Sequence, residues 1–518
     1  MPSPRVPRAA LPTHPSAEPG TAPRLLALVL AVSLGLATEE AAAASDAERV
    51  VALEQRVAEL EAKLERVLAA TPAPAEHTGA TPDAERFGAL EQDLRVVQRK
   101  LEIKDEEAVA ALPNTPVLTA GEKGFILASR DNRYNLRLRG QIHADARQFF
   151  DDESLPASTD GYLLRRVRPS IEGTLAGIYD FRFVPDFAGN RTVLQDAYID
   201  ARLHPAFKLR VGKFKTPFGI ERLQSASDIR FVERGLPNNL VPNRDLGIQL
   251  HGDVLGGTLN YAVGVFNGVL DGGSSEANND AENNHDKDVA ARLFAQPFLN
   301  SENFYLRGLG LGVAATYVNQ RADAAAPLLP AYRSPGQLSV FNYRTGANGT
   351  FADGKRLRWS PQLQYYAGPW GVLAEQVTVD QELSRIVAGA HRHDTVSQDA
   401  WQLALNYVIT GEDASYKDIK PRNPYAPDTD GWGAWELVGR VGELDIDDDA
   451  FAGGAASFAD PNVAISNERA WSLGLNWYLN RNIKWSIDYE HTDFDGGALA
   501  GRDRADEKIA FSRVQLVF

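Results

Sequence analysis

The sequence of 518 residues predicts an all-β fold, a transmembrane antiparallel β-barrel of about 16 strands preceded by a signal peptide and a short helical coiled-coil segment. Three observations support this fold. Apolar and polar residues alternate from about residue 121, tryptophans recur within the alternating segments, and the chain ends on a strand-like segment closed by Phe518. The predicted boundaries are 1–44 for the signal peptide, 45–112 for the coiled-coil region and 113–518 for the barrel.

The composition excludes several classes of protein. Cysteine is absent, so the chain has no disulfides, no thiolate metal sites and no cysteine nucleophile. Lys and Arg number 54 against 69 Asp and Glu, and the resulting net charge of -15 argues against nucleic-acid binding, which rewards positive charge. Apolar runs stay shorter than the roughly 18 residues that a membrane-spanning helix needs, so we expect no such helix in the mature chain.

The N-terminus has the order of a secretory signal. Residues 1–24 carry basic side chains, residues 25–36 read LLALVLAVSLGL, and small residues follow at 41–45. A basic region, an apolar core and an A-x-A-like site predict a signal peptide cleaved near Ala43 or Ala44. The alternative is a short buried helix. The signal predicts a mature protein beyond the inner membrane of a bacterium-like cell.

Two heptad segments come next. Apolar residues step by three and four in both segments, at Val50, Leu53, Val57, Leu60, Leu64 and Val67, and again at Phe87, Leu90, Leu94, Val97 and Leu101. This seam predicts a coiled coil, and the prolines of 71–83 interrupt the helix between the segments. Because each segment is marginal alone in water, we expect an oligomer-forming periplasmic stalk. The alternative is a pair of frayed amphipathic helices, and the seam does not distinguish a dimer from a trimer.

The alternating segments place apolar and polar side chains on opposite faces of a strand. Examples are WSLGLNWYL at 471–479, WQLALNYVI at 401–409 and YNLRLRGQIH at 134–143. A soluble β-sandwich gives the same alternation. A membrane is favoured because tryptophans stand near strand ends, where a bilayer interface suits them, and because loops such as 271–288 are polar and rich in Gly and Asn.

The barrel must be closed and wide. An open sheet edge in lipid would leave backbone groups unpaired, so the strands must form a ring. About 400 residues follow the stalk, and at roughly 25 residues per strand and connection they supply about 16 strands. A ring of this size leaves an aqueous lumen because side chains cannot fill it. The fold therefore predicts a pore.

Several stretches of the barrel region resemble one known family. The most specific is FKLRVGKFKTPFGIERLQSASDIRFVERGL at 207–236, with KFKTPFGIERLQ at its centre. It is joined by LQDAYID, by the double arginine of LLRRVRPSIEG, by IKPRNP followed by GWGAWELVGRV, by LGLNWYLN and by the terminal Phe518. From about residue 133 to 518 the chain resembles the phosphate-selective porin O and P family.

The resemblance implies both a fold and a function. It implies a trimeric outer-membrane channel of 16 strands, with a third loop folded into the pore and a lumen lined by Arg and Lys that guide anions to a phosphate site. It also implies that the C-terminal strand ending at Phe518 is read by the barrel-assembly machinery. One departure weakens phosphate specificity more than anion preference: Gln141 stands where phosphate-specific members carry an arginine.

The charge distribution agrees with an anion pore. Residues 121–235 hold 19 Lys and Arg against 15 Asp and Glu, a net charge of +4, whereas the rest of the chain carries a net charge of −19. The basic excess thus lies where the strands precede and enter the predicted pore loop. Basic residues on a lumen wall focus the field on the pore and select anions.

The candidate pore-lining and anion-binding residues are all basic: Arg137, Arg139, Arg165, Arg166, Arg182, Lys213, Lys215, Arg222, Arg230 and Arg234. Arg137 and Arg139 alternate with leucines, and Arg182 alternates with phenylalanines, so we expect all three in the lumen, since charge facing lipid is costly. In the next strand alternation favours Arg166 and Arg168, whereas the resemblance highlights Arg165 and Arg166; the sequence leaves this register open.

The segment 216–246 is predicted to be the inward-folded loop because it has no clean period and carries several prolines and glycines. Arg222 matches a position that is lysine in the phosphate-selective members, so it is the leading candidate for direct anion contact, followed by Arg230 and Arg234. The alternative for each basic residue is an ion pair with a nearby acid, such as Glu233, that only pins the loop.

Other motifs do not predict a site. His391 and His393 have the spacing of metal ligands, but we interpret HRHD as a polar loop. Asp447, Asp448 and Asp449 lack the ligand spacing of an EF-hand, so we interpret them as a solvated turn. No catalytic residue, metal ligand or cofactor is predicted, and no G-x-S-x-G or GK[ST] motif is present.

The sequence therefore predicts a porin of the bacterial outer membrane for passive uptake of phosphate, polyphosphate or other small anions. The alternative is a general diffusion porin without phosphate specificity, with the coiled coil as an envelope tether that contacts peptidoglycan. A barrel enzyme would need a Ser–His pair on the lipid-facing wall, for which the sequence offers no candidate. The expected partners are small anions, outer-membrane lipid, the barrel-assembly machinery and two further copies in a homotrimer.

Overall fold

The computed structural model describes residues 82–111, 116–122, 124–150, 159–189, 191–274 and 286–518, together with Ala62. The predicted signal peptide and, apart from Ala62, the first heptad segment lie outside these residues. The chain divides into two units, 1–113 and 114–518. Within the described ranges, no helix combines the length and the apolarity required to span a membrane.

The first unit contains helix α1, Pro82–Ala111. All five apolar positions of the second heptad segment fall on this helix, and four of them form a half-buried stripe between exposed residues: Leu90, Leu94, Val97 and Leu101. On the exposed surface, Arg99 forms an i,i+3 ion pair with Glu102 at 2.9 Å. The helical state of this segment is as predicted, and its association with other chains stays a prediction.

The second unit consists mainly of strands. In chain order they are β1 (Val117–Gly121), β2 (Gly124–Ala128), β3 (Asn135–Phe150), β4 (Gly161–Leu175), β5 (Tyr179–Asp186), β6 (Val193–His204), β7 (Phe207–Lys215), β8 (Arg244–Val254), β9 (Leu259–Phe266), β10 (Asp288–Ala295) and β11 (Gly310–Arg321). They continue with β12 (Ala331–Arg333), β13 (Ser339–Asn342), β14 (Thr350–Ala367), β15 (Trp370–Val387), β16 (Ala390–Val408), β17 (Ala434–Ile446), β18 (Ile465–Tyr478), β19 (Ile483–Ala498), β20 (Arg502–Asp503) and β21 (Glu507–Val517).

Short helices occupy the connections. Two are α-helical, α2 (Ile220–Leu223) and α3 (Phe304–Arg307). The 3-10 segments are Leu236–Asn239, Leu255–Gly257, Asp448–Ala450, Gly454–Ala456 and Leu499–Gly501.

Sixteen strands of the described ranges close into a ring, which confirms the predicted barrel. Each pairs antiparallel with its neighbour along the chain; β11 continues to β14, β19 continues to β21, and β21 pairs with β3 to close the ring. At the closing seam, Gly140 and Phe518 exchange two backbone hydrogen bonds of 3.0 Å. The β1–β2 hairpin pairs with the first residues of β3, beyond the end of β21.

The predicted alternation is confirmed along the wall of the barrel. Trp401 and Leu405 are 41% and 51% exposed on the outer face, whereas Gln402 and Asn406 between and beside them are buried in the interior. Near one rim, Trp435 and Trp477 stack with ring centroids 5.0 Å apart. An apolar outer face with aromatic residues near its edge is the surface that lipid requires.

The two ends of the barrel carry different connections. Most connections at the end that holds Phe518 are short turns, and those at the other end include 216–243, 267–287 and 322–349. Short periplasmic turns and longer external loops are typical of bacterial outer-membrane barrels. The end opposite Phe518 is therefore the external one. An exception is the connection 409–433, which is long and lies at the periplasmic end.

The segment 216–243, hereafter the pore loop, folds into the barrel instead of outward. Its Phe218, Leu240 and Val241 are fully buried in one apolar cluster with residues of the 322–349 loop and of the wall from β15 to β19. Apolar packing inside the lumen therefore fills the side of the barrel formed by these strands. The loop ends at residue 243, because β8 begins at Arg244, three residues before the predicted end at 246.

One interpretation of the sequence is wrong. His391 and His393 lie in strand β16 rather than in a polar loop. The short β15–β16 turn leaves both strands paired to their ends, from Val387 and Ala390 onward. Because the external end of β16 is rich in polar residues, its composition resembles that of a loop.

Candidate functional site

Two cavities lie in the lumen beside the pore loop. The larger has a volume of about 710 Å³ and the smaller about 310 Å³. Four residues line both cavities, so the two meet at a throat formed by Arg168, Lys215, Ala226 and Arg244. Strand β4 supplies the first of these residues, β7 the second, the pore loop the third and β8 the fourth.

The lining of both cavities is strongly basic. Nine cations line the larger cavity, against three carboxylates: Arg165, Arg166, Arg168, Arg191, Lys215, Arg222, Arg234, Arg244 and Arg333, with Asp186, Glu233 and Asp271. Six cations line the smaller cavity, against one carboxylate: Arg168, Arg182, Arg210, Lys215, Arg244 and Arg292, with Asp196. An acidic chain has thus concentrated positive charge along the open part of its lumen.

The pore loop is fastened to the wall opposite these cations. The Glu375 carboxylate of β15 accepts a hydrogen bond from the Ile220 backbone N–H at 2.9 Å, at the start of α2. The Arg513 guanidinium of β21 donates to the Val232 carbonyl at 2.6 Å. The Arg440 guanidinium of β17 donates a hydrogen bond of 3.1 Å to the Glu233 carbonyl. The loop is therefore held against the packed wall, and the open path runs between the loop and strands β4 to β8.

Some cations of the open path are paired with carboxylates. Arg165 lies 2.7 Å from Glu233, and Arg168 lies 2.6 Å from Asp186. At the throat, Arg244 lies 2.8 Å from Asp196. These pairs fix the geometry of the lumen and cancel much of their own charge.

Glu233 shows the strength of this pairing. Burial opposes ionisation of its carboxyl, but the Coulomb attraction and hydrogen bond of Arg165, with help from Arg513, hold its pKa well below the usual range. The pore loop therefore carries a fixed negative charge at this point, and Arg165 is neutralised by it.

Other cations of the open path have no carboxylate partner among the residues that the structure describes. The Lys215 ammonium donates to the Leu223 and Gln224 carbonyls at 3.3 and 2.6 Å. Arg222 donates to the Asn238 carbonyl at 2.8 Å, and Arg234 donates to the Gln224 carbonyl at 3.0 Å. Within the part of the chain that the structure describes, no carboxylate oxygen lies within 4.0 Å of Lys215, Arg222 or Arg234.

Arg222 carries a clear sign of uncompensated charge. Its Nε is buried without a hydrogen-bond partner among the described residues. Burial, together with the nearby Arg234 and Arg244, lowers the pKa of its guanidinium. An anion in the cavity would supply both the missing acceptor and the missing negative charge.

A β-bulge in β4 resolves the register that the sequence left open. The pairing with β3 shifts between His143 and Ala144, so that Arg166 stands opposite His143 and Leu164 opposite Ala144. Arg165 is the extra residue between them. Because a bulge re-aims side chains, Arg165, Arg166 and Arg168 all line the larger cavity.

Three further candidates lie on the luminal face nearer the periplasmic end. Arg182 lines the smaller cavity, 3.7 Å from Asp196. Arg139 lies 3.2 Å from Glu172 and, like Arg137, lines neither cavity. Gln141 lines the smaller cavity, and its amide nitrogen is 2.6 Å from His143 Nε2.

Two more of the residues predicted to line the pore line neither of the two cavities. Lys213 is only 1% exposed and lines neither cavity. Arg230 also lines neither cavity. Its Nε lies 2.9 Å from the Glu436 carboxylate, and its other nitrogens donate to backbone carbonyls, so the ion-pair alternative describes this residue.

Several lining residues were missed by the sequence argument. Arg244 lies inside the predicted loop boundary, and Arg210 and Arg292 come from strands that were not considered individually. Arg292 follows Ala291 and precedes Leu293, which is 51% exposed on the outer face, so alternation was sufficient to place Arg292 inside. Arg333 belongs to the 322–349 loop, and no sequence signal indicated that this loop reaches the lumen.

The arrangement defines a class of protein: a porin, a closed outer-membrane β-barrel with a basic, water-accessible path narrowed by an inward loop. The profile of the family described as phosphate-selective porin O and P matches residues 136–518. The chain belongs to this family, and it is a protein of the bacterial outer membrane.

Relatives of known identity are distant in sequence. Porin O of Pseudomonas aeruginosa is 23% identical over 419 residues, which cover 76% of this chain and 91% of Porin O. Among solved structures, the outer membrane channel DcaP of Acinetobacter baumannii is 12% identical with a TM-score of 0.46, covering 77% of this chain and 100% of DcaP. The anion-selective porin from Comamonas acidovorans is 9% identical with a TM-score of 0.44, covering 74% and 100%.

Proposed function

We propose that this protein forms a water-filled, anion-preferring channel for the passive uptake of phosphate, polyphosphate or other small anions, without chemistry. One observation carries the proposal: Lys215, Arg222 and Arg234 face the open path with carbonyls but no carboxylate within 4.0 Å in the described residues. Membership of the phosphate-selective porin O and P family supports it.

The physical basis is the balance between desolvation and charge. An anion that enters a narrow lumen loses part of its hydration, and rings of Arg and Lys replace that hydration. Paired cations contribute little field at a distance because their carboxylates cancel it. Lys215 at the throat and Arg222 and Arg234 in the larger cavity are therefore the groups that favour an anion over a cation, and Arg222 is proposed to contact the anion directly.

The chemistry of the donors suits phosphate. A guanidinium presents several N–H groups in a planar fork that matches phosphate oxygens, and an ammonium supplies a compact point charge. Both kinds of group meet at the boundary between the two cavities, in Arg222 on one side and Lys215 at the throat. An anion can thus pass from one basic cavity to the next without leaving a cationic environment.

Gln141 favours a second candidate, a general diffusion porin that prefers anions without specificity for phosphate. Its neutral amide lines the smaller cavity at the position where phosphate-specific relatives carry an arginine. In that case the coiled-coil region acts as the envelope tether.

The proposed assembly is a homotrimer in outer-membrane lipid, inserted by the barrel-assembly machinery through the strand that ends at Phe518. The apolar outer wall and the regular C-terminal strand support this proposal. Contact between the coiled-coil region and peptidoglycan belongs to the same proposal, and the half-buried apolar stripe of α1 supports an association of this region.

Single-channel recording in a planar bilayer tests the proposed function. Under a KCl gradient we expect a reversal potential of anion-selective sign, and added phosphate should reduce the chloride current. Arg222→Ala should weaken this block, because it removes the unpaired guanidinium. Lys100→Ala is the matched control, since it removes one positive charge from the exposed surface of α1.

Each result decides between the alternatives. Anion selectivity without block by phosphate would support the general anion porin, and Gln141→Arg should then increase the block. Cation selectivity would contradict the proposal and would show that the unpaired cations do not control permeation.

A further inference from the structure

Two histidines and an aspartate surround one buried hydroxyl on the outer surface, at the external end of the barrel. His391 and His393 belong to β16, Ser384 to β15 and Asp353 to β14. The His391 Nε2 atom and the His393 Nδ1 atom each lie 3.0 Å from Ser384 Oγ, and Asp353 Oδ2 lies 2.7 Å from it. Three side chains of metal-ligand type therefore surround this hydroxyl.

The strand geometry explains why they converge. Residues two apart on a strand point to the same face, so both histidines flank Ser384, which stands opposite His393 in the β15–β16 pairing. Asp353 belongs to an irregular part of β14, where the pairing with β15 shifts between Ala352 and Arg356. Gly354 in this irregularity has a φ of 126°, which glycine adopts without strain. The shift aims Asp353 toward Ser384.

The cluster is open to the external medium. Ser384 is fully buried and forms the floor, whereas the side chains of His393 and Asp353 are 48% and 39% exposed. Arg392, between the two histidines, turns to the other side and donates to the Asp449 carbonyl at 2.8 Å. No cation of the same strand therefore occupies the space above the hydroxyl.

We propose that Asp353, His391 and His393 form a binding site for a divalent transition-metal cation, with Zn²⁺ as the representative ion. Two imidazole nitrogens and one carboxylate oxygen are a ligand set that suits Zn²⁺ and Cu²⁺ and not Ca²⁺ or Mg²⁺, which take mostly oxygen ligands. The nitrogens now 3.0 Å from Ser384 Oγ would approach an ion to about 2.1 Å. Both imidazoles are exposed, so rotation of their side chains would bring the two nitrogens to one ion.

In the metal-free arrangement the hydrogen bonds are complete. The Ser384 hydroxyl donates its single hydrogen to Asp353, and each imidazole donates an N–H to Ser384 Oγ. If a metal ion bound, the proton of each imidazole would move to the other ring nitrogen, and the lone pairs of His391 Nε2 and His393 Nδ1 would be available to the ion. Those other ring nitrogens need only solvent as a partner.

A second cluster on the same surface provides a useful contrast. His491 Nε2 lies 3.4 Å from Asp506 and 3.7 Å from Asp493. However, the Trp471 indole N–H donates to His491 Nδ1 at 3.1 Å, so the imidazole proton resides on Nε2. The nitrogen that faces the carboxylates is thus a donor to them and has no lone pair for a metal. We therefore assign the metal site to the first cluster.

The experiment measures Zn²⁺ binding to the full-length protein purified in detergent. After treatment with a chelator and exchange into phosphate-free buffer, isothermal titration calorimetry with ZnCl₂ should show saturable binding of one equivalent. The double variant His391→Ala/His393→Ala should lose this binding, whereas His204→Ala, an exposed histidine at the periplasmic end, should retain it. Cu²⁺ should give an electron paramagnetic resonance spectrum with hyperfine coupling from two nitrogens.

The controls keep the proposal falsifiable. Heat-dependent migration in gel electrophoresis checks that each variant remains a folded barrel. Asp353→Asn, which keeps the side-chain shape, should also weaken Zn²⁺ binding. It provides the test if the double variant does not fold. Equal binding by the wild type and the double variant would overturn the proposal. So would its loss in His491→Ala alone, or the absence of saturable binding to the wild type.

Discussion

The two sides of the lumen use the same kind of side chain for different purposes. On the side from β14 to β21, most buried arginines are matched by carboxylates: Arg513 lies 2.6 Å from Asp145, Arg440 lies 2.9 Å from Glu490, and Arg358 lies 2.6 Å from Asp271. Along the open path from β4 to β8, Lys215 and Arg222 contact carbonyls instead. Whether a cation is structural or functional therefore depends on its partner and not on its type.

The difference follows from electrostatics. Burying an ion pair carries a desolvation penalty that the attraction between the two charges and their hydrogen bonds must offset. Such a pair therefore fixes the positions of its side chains but adds little to the electric field in the lumen. A cation without a carboxylate keeps its field and remains available to a mobile anion. Pinning the pore loop with pairs on one side leaves a fixed gap on the other, and unpaired cations then line that gap.

The largest expected effect is on the packed side. Arg513→Met removes a guanidinium that makes two hydrogen bonds to Asp145 and one to the Val232 carbonyl, and it leaves a buried carboxylate without its partner. Breaking a buried pair in this way should lower the free energy of unfolding by about 3–5 kcal/mol. Urea unfolding in detergent, followed by tryptophan fluorescence, measures this change.

Arg469→Met is the matched control on the neighbouring wall. Arg469 pairs with Glu443 and Asp495 on the exposed surface, so its removal should leave the unfolding midpoint almost unchanged. If both variants unfold at the same urea concentration, the pairs of the packed side do not hold the structure, and the contrast between the two sides is incorrect.

A smaller effect is expected at the throat. Lys215→Gln keeps a polar side chain but removes the ammonium that lines both cavities. A charge-assisted hydrogen bond contributes about 1.5–3 kcal/mol, which corresponds to about a 10- to 150-fold higher phosphate concentration for half-maximal block of the chloride current. Lys215→Arg should restore most of the block because it keeps the charge. A block that is unchanged in Lys215→Gln would remove Lys215 from the anion path.

The smallest effect is expected when a whole pair is neutralised. The double variant Arg168→Gln/Asp186→Asn deletes the positive charge of a throat residue together with the negative charge of its partner, and it leaves the net charge unchanged. The carboxamide at position 186 would keep the side-chain oxygen that accepts from the Val167 backbone N–H. The reversal potential under a KCl gradient should keep its sign and most of its magnitude. A loss of selectivity as large as that in Lys215→Gln would show that pairing does not separate the two groups of cations.

Much of the fold and some of the site were predictable from local pattern. Period-two alternation determined the wall and placed Arg182 on the inner face, because lipid tolerates few charges. The same rule failed at Arg165, although it placed Arg166 and Arg168 correctly. One extra residue in β4 shifts the strand phase by one, and a bulge has no sequence signature strong enough to reveal it beforehand.

The roles of the basic residues in the pore loop could not be separated in this way. Arg222, Arg230 and Arg234 are within 13 positions of one another and are equally basic in sequence. Only one of them, Arg230, meets a carboxylate among the residues that the structure describes, and that carboxylate, Glu436, is more than 200 residues away in the chain. Long-range proximity decided which cation is pinned and which is open.

By itself, the sequence determined the closed barrel, its family and the basic character of its lumen, because these depend on alternation and composition that each segment carries alone. Tertiary structure decided which charges are cancelled, where the throat lies, and that two histidines and an aspartate from two strands meet at Ser384 of a third. The physical reason is that pairing energies depend on distances of a few ångströms, and those distances are set by strand register and loop docking across the whole ring.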